Sequence, residues 1–194
     1  NSHIKDIRWV AKELSNNDNN VIFDTSTVDP AGGVIAPKTG TWTRVENGRL
    51  TGGSNGWNNN IISQDIEGNR IEHIPTNPGD IMGVEFKFEQ TTKYMMLGLD
   101  NINNGNSPFY DDIDFTAYVV PGGGFEIYER ARVPPADING SEAYTANEVI
   151  RIIINDNNQV EYYVGDVKKY TSEQDPIYPL HVAAAFYSTG SKAK

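Results

Sequence analysis

The 194-residue chain contains no cysteine. That absence excludes a disulfide framework, thiolate catalysis and any cysteine-ligated zinc or iron–sulfur site. Histidine is nearly as scarce: His3, His73 and His181 are scattered, and no pair has metal-ligand spacing. No apolar run approaches the ~18 residues a membrane-spanning helix needs, so membrane insertion by such a helix is excluded. Positive charge is in deficit, with 16 Lys and Arg against 26 Asp and Glu and a formal net charge of −10. Gripping nucleic acid or anionic lipid through phosphates requires clustered cations, so nucleic acid is not an expected partner. No GxSxG nucleophile turn occurs, and the Gly122–Gly124 run follows Pro121 between two strand-like segments, which makes it a turn and not a phosphate cradle opening a helix.

What the chain does have is enough apolar residue, 38%, to build one sizeable core; a domain of this length buries about 70% of the surface its unfolded chain exposes. Residues 1–20 differ from the rest. Ile4, Ile7, Val10, Ala11 and Leu14 recur at the spacing of one helical face, so this extension reads either as a short N-terminal helix or as an extended arm packed on the edge of the domain. From residue 21 to 194 the pattern is short alternating or apolar segments separated by Gly, Asn, Asp and Pro. Val84, Phe86 and Phe88 alternate with Glu85, Lys87 and Glu89; Ile113, Phe115, Ala117 and Val119 alternate with Asp114, Thr116 and Tyr118. EVIRIIIND and QVEYYVGDVKKYT form a three-strand meander turning at Asp156–Asn158 and at Gly165-Asp166. Leu180, Val182, Ala184 and Phe186 share one side of a last strand. The predicted fold is all-β: two packed antiparallel sheets in a jelly-roll sandwich.

Three places carry chemistry. In GLDNINNGNSPFYDDIDF, the oxygens of Asp100, Asn101, Asn103, Asp111 and Asp112 are of the type calcium takes, six to eight at a time. The spacing is not that of an EF-hand, and the same residues suit a solvated turn bonded to its own backbone. In SNGWNNN, Trp57 stands beside Asn58 and Asn59; a ring with neighbouring amides holds sugars by stacking and hydroxyl bonding, but also serves as a core anchor at a strand start. The third is the outward side of the strands, Thr116, Tyr118, Tyr128, Arg151, Tyr163 and His181, a ligand surface if these share a face and an ordinary wet sheet otherwise. Asp112 and Asp114 would project from one strand face, as paired carboxylates do in sandwich-fold glycoside hydrolases, but Phe115, Thr116 and Ala117 follow and the acid/base set is incomplete. No catalytic residue is assigned.

The order GSNGWNNN, YMMLGLD, YDDIDFTAYV, FEIYE, VEYYVGDVKKYTS, YPL and FYSTG, over roughly Thr41 to Gly190, resembles a concanavalin A-like bacterial domain of large secreted, surface and polysaccharide-processing proteins. The resemblance implies a lectin-like jelly roll, an extracellular or cell-surface location, and non-catalytic carbohydrate binding. Polysaccharide or glycan is then the expected partner, with Trp57, Asn58, Asn59, Tyr110, Arg130, Arg132 and Tyr163 as candidate ligand residues. The chain departs from the pattern where Arg130-Ala131-Arg132 replace the glycine that follows Glu in the family's corresponding strand; two arginines on a loop there would favour an acidic or sulfated glycan. The alternatives are an adhesion or structural domain contacting other surface proteins, and, third, a glycoside hydrolase or lyase using Asp112 and Asp114.

Overall fold

The computed structural model describes residues 8–11, 44–46, 49–51, 55–57, 60–62, 72, 74, 81–101, 110–130 and 142–194. Strands in chain order are β1 (Arg8–Ala11), β2 (Arg44–Glu46), β3 (Arg49–Thr51), β4 (Asn60–Ile62), β5 (Met82–Phe86), β6 (Met95–Asp100) and β7 (Phe115–Val120). They continue with β8 (Gly124–Tyr128), β9 (Glu142–Ala143), β10 (Ile150–Ile154), β11 (Val160–Val164), β12 (Val167–Thr171), β13 (His181–Phe186) and β14 (Lys192–Ala193). A five-stranded sheet, β1-β5-β10-β11-β12, packs on a six-stranded sheet, β4-β13-β6-β7-β8-β9, and a small third sheet has the order β14-β3-β2. Every pairing is antiparallel. The fold is the all-β jelly-roll sandwich the alternation predicts, and no helix occurs among the described residues.

The core follows from period-two patterning. Val84 and Phe86 of β5, Ile150, Ile152 and Ile154 of β10, and Val160, Tyr162 and Val164 of β11 point inward from one sheet. Met95, Leu97 and Leu99 of β6, Phe115, Ala117 and Val119 of β7, and Val182, Ala184 and Phe186 of β13 meet them from the other. The predicted meander is β10 to β12. Asn155 organises its first turn, accepting on Oδ1 from the backbone N–H groups of Asn157 (2.9 Å) and Gln159 (3.0 Å); Asn158 then takes a positive φ of 61°, a conformation asparagine tolerates.

Two expectations are corrected. Arg8–Ala11 is a strand, not a helix: it pairs with β5 from Arg8↔Glu85 to Ala11↔Met82, so the extended alternative describes it. Strand pairing across an open edge of β5 outweighs a weak helical periodicity. Ile4, Ile7 and Leu14 lie outside the described residues. The alternation assigned from Ile113 onward also begins too early. β7 starts at Phe115, and Ile113 crosses to the opposite face, where it is fully buried with Ile62, Met96, Ala183 and Ala185.

Candidate functional site

That second apolar layer lies on the outer face of the six-stranded sheet. Alternation sends Met96 (β6), Thr116 and Tyr118 (β7), Glu126 and Tyr128 (β8), and Ala183 and Ala185 (β13) outward, and Trp57, Tyr118 and Tyr128 pack against it. Small side chains on β13 leave room for rings above it. Gly98, paired with Thr116, approaches β7 so closely that a methyl group there would overlap the Phe115 carbonyl.

Aromatic rings tile this face without a break. Tyr110 stacks on Trp57 with centroids 4.7 Å apart and planes at 27°. Trp57 in turn meets Tyr187 at 5.4 Å and Tyr118 at 5.9 Å. Tyr94 links Tyr187 (5.7 Å) to Tyr118 (6.2 Å), and Tyr118 meets Tyr128 edge-on at 5.3 Å. Such pairs contribute about 0.5–1.5 kcal/mol each beyond their buried area. Burial is incomplete, however: Tyr94, Tyr110 and Tyr187 remain 38%, 36% and 40% exposed.

Local hydrogen bonds fix the tryptophan. The Gly56 N–H donates to Tyr187 O at 2.7 Å, and Asn55 Oδ1 accepts from the N–H (3.0 Å) and hydroxyl (3.1 Å) of Thr189. Gly56 has φ of 115°, which a side chain would strain. The 55–57 turn is thereby tied to the segment following β13, which holds Trp57 against Tyr187. Asn55 is thus structural, and Asn58 and Asn59 lie outside the described residues.

The polar groups on the face are few. Thr116 Oγ1 is buried without a hydrogen-bond partner. Glu126 is half-buried between its register partner Tyr118 and Tyr128, and desolvation raises its pKa above the ordinary glutamate value. Burial, followed by the Glu126 charge, pushes the Tyr118 hydroxyl well up, so it stays a neutral donor.

At the end of the face formed by β6 and β7, the acidic segment is organised internally. Asp114, 2% exposed, accepts from Arg130 Nε at 2.6 Å and from the Asn101 N–H at 2.9 Å, while Asn101 Nδ2 donates to Ile177 O at 2.7 Å. Asp100 is buried opposite His181, its register partner. Asp111 and Asp112 are exposed, and the Asp112 pKa is raised by partial desolvation and then by the charges of Asp111 and Asp114. Among the described residues no group of three or more His, Asp or Glu side chains converges as a metal cluster; Asn103 lies outside them. The expected Asp112–Asp114 pair on one strand face is not formed either. Both precede β7, and a guanidinium neutralises the inner one.

Of the remaining candidates, Arg130 pairs through Nε with Asp114 while its Nη2 is buried without a partner, and Arg132 lies outside the described residues. Tyr163 and Arg151 do not join the aromatic face. They are register partners on the five-stranded sheet, where Arg151 pairs with Glu85 (2.8 Å) and Tyr163 donates to Glu161 (2.6 Å), a bond that, with desolvation, pushes the phenol up to about 12. Conversely, sequence reasoning omitted Tyr94, Tyr187 and Glu126 from the site. The first two flank paired strands, and only the register Met95↔Phe186 brings them together.

No family model matches the chain, and no curated protein matches it in sequence. Solved structures do. The SPRY domain of human HERC1 superposes with a TM-score of 0.50 at 14% identity, covering 78% of this chain and 90% of that one. A mutant of the Emp46p carbohydrate recognition domain gives 0.50 at 14% identity, covering 78% and 81%. Alginate lyase AlgAT5 of polysaccharide lyase family 7 gives 0.49 at 11% identity, covering 96% and 89%. At these identities the likeness is one of fold alone, a two-sheet antiparallel jelly-roll sandwich.

Proposed function

We propose that this domain binds carbohydrate, without catalysis, on the outer face of the six-stranded sheet. One observation carries the reading: a continuous aromatic surface in which a tethered tryptophan packs against exposed Tyr110 and Tyr187, with exposed Tyr94 joined on through Tyr187. Pyranose rings present apolar C–H faces that stack on such rings, while their hydroxyls need donors and acceptors at the rim, here the tyrosine hydroxyls and Glu126. Two-carboxylate glycoside chemistry needs a second acid facing the first across the sugar; Asp114, tied to Arg130, is withdrawn from that role. The resemblance seen in the sequence favours a secreted or bacterial surface setting and a polysaccharide ligand.

Calcium does not enter the reading. Of the two buried carboxylates of the acidic segment, Asp100 and Asp114, the second already has a cation partner, while Asp111 and Asp112 are exposed, a poor match to a six- to eight-oxygen shell.

Titration calorimetry against a panel of soluble oligosaccharides tests the proposal. Trp57→Ala and Tyr187→Ala should each weaken binding by about tenfold or more, as loss of a stacking platform requires. Tyr163→Phe, on the opposite sheet, should not. A folded protein that binds nothing in the panel overturns the assignment.

A further inference from the structure

Glu126 has an environment unusual for a surface carboxylate. It projects from β8 onto the aromatic face, beside Tyr118 across the strand pair and Tyr128 along it. Among the described residues no ion pair or hydrogen bond holds its oxygens. The described cations with ion-pair partners lie elsewhere: Arg130 with Asp114, Arg151 with Glu85 and Asp166, Lys168 with Glu161, and Lys194 with Glu89. A carboxylate is acceptor-only, with about four lone-pair positions, and here they are directed at whatever occupies the face.

Building on the carbohydrate reading, we infer that Glu126 is a specificity-determining residue: it accepts hydrogen bonds from the hydroxyls of an uncharged glycan and turns away uronate- and sulfate-bearing ones. Vicinal hydroxyls of a stacked sugar can donate to both oxygens, and hydrogen bonds to an ionised acceptor are the stronger kind. An anionic sugar in the same place brings a second negative charge against the first. At a separation of about 6 Å and an effective dielectric near 20, that repulsion alone corresponds to a loss of about a hundredfold in affinity; with solvent screening, tenfold or more is the expected penalty. Asp111 and Asp112, exposed beside Tyr110 at one rim, add to the same field. This reverses the expectation of an acidic or sulfated ligand, because Arg130, the described cation behind that expectation, is held by Asp114.

The experiment is calorimetry of the wild type and Glu126→Gln with four probes: β-glucan and mannan oligosaccharides, which are neutral, and alginate and heparin oligosaccharides, which are not. A neutral probe should bind at least tenfold more tightly than either anionic one. Glu126→Gln should weaken the neutral probe about tenfold and narrow the gap, and Glu126→Asp should lie between. Melting curves and unchanged behaviour of Tyr163→Phe certify the fold. An anionic probe that binds as tightly as a neutral one overturns the inference and leaves carbohydrate binding standing. Unaltered affinities in Glu126→Gln overturn the role of this residue. No binding by any probe overturns the carbohydrate reading and the inference with it.

Discussion

Tyr162, from the five-stranded sheet, donates its phenolic hydrogen to Glu129 Oε1, at the end of β8 in the six-stranded sheet, at 3.0 Å. Both residues are buried. Gln174 Nε2 reaches the other carboxylate oxygen at 3.3 Å, so a polar pin joins the two sheets. Desolvation raises the Glu129 pKa, and hydrogen bonds from Ser172, Tyr162 and Gln174 and the Arg130 charge offset it only in part.

The pin makes stability depend on pH in a definite direction. A carboxyl whose folded pKa lies above its unfolded value binds its proton more tightly in the folded state. Its contribution is therefore full below the ordinary glutamate pKa and is lost as pH rises through the folded pKa. Glu129→Gln keeps an acceptor for Tyr162 and removes the charge. Thermal melts of the two proteins from about pH 4 to about pH 8 should show the variant gaining on the wild type across that window, then a constant difference. A constant difference throughout would remove Glu129 as the titrating group. Tyr162→Phe, which leaves the carboxylate a donor short, should instead cost about 1–3 kcal/mol at neutral pH.

Tyr144 closes a different corner. Its hydroxyl donates to Phe88 O at 2.7 Å and accepts from Phe88 N–H at 2.8 Å, while Phe88 bridges to Ala193. Tyr144→Phe leaves both backbone groups buried without that partner, and the expected cost is about 1–3 kcal/mol. For a chain of this size that is a fall in melting temperature of about 2–4 °C per kcal/mol. Calorimetric scanning measures it.

Gly98→Ala tests the close approach of β6 to β7. The added methyl meets the Phe115 backbone carbonyl, which cannot rotate away as a side chain would. Destabilisation of about 1–3 kcal/mol is expected, and because Thr116 is its partner, binding on the aromatic face should weaken as well. Denaturant titration and calorimetry report the two effects separately.

The Arg130–Asp114 pair predicts indifference to calcium. A cation bound only by the folded state at a hundredfold excess over its dissociation constant would add about 2.7 kcal/mol, so melting curves with calcium and with chelator should coincide. Arg130→Met is the companion variant. It strands a carboxylate that is 3% exposed, and stability should fall by about 2 kcal/mol, less than for a fully buried pair because the arginine is partly solvated.

Much of the sandwich was legible where local chemistry and alternation agree. Asn155 to Asn158 specify a hairpin turn from within their own side chains, and Val84, Phe86, Ile150 and Ile152 carry a burial pattern that only an inward strand face satisfies. Arg8–Ala11 was ambiguous because its apolar spacing fits a helix, while the feature that decides it, the edge of β5, is distant in sequence. Ile113 continued an alternation that the backbone had not yet begun. Trp57 and Tyr110 were readable as ring-bearing loop residues, but their stacking with each other, and the meeting of Tyr94 with Tyr187, depend on register. The ion pair at the edge of the acidic segment was not legible, because Arg130 enters from another strand end sixteen residues after Asp114.

The tiling of Trp57 by Tyr110, Tyr118 and Tyr187, with centroids 4.7, 5.9 and 5.4 Å away, also has an optical consequence. Light absorbed by these phenols passes to the indole, since dipolar energy transfer is efficient at such short range. Trp57 therefore acts as the common emitter of the face. A saccharide seated on the rings changes the polarity around that emitter, and the difference between wild type and Trp57→Phe removes the background of Trp9 and Trp42. The domain carries an intrinsic fluorophore at the surface where its ligand is expected.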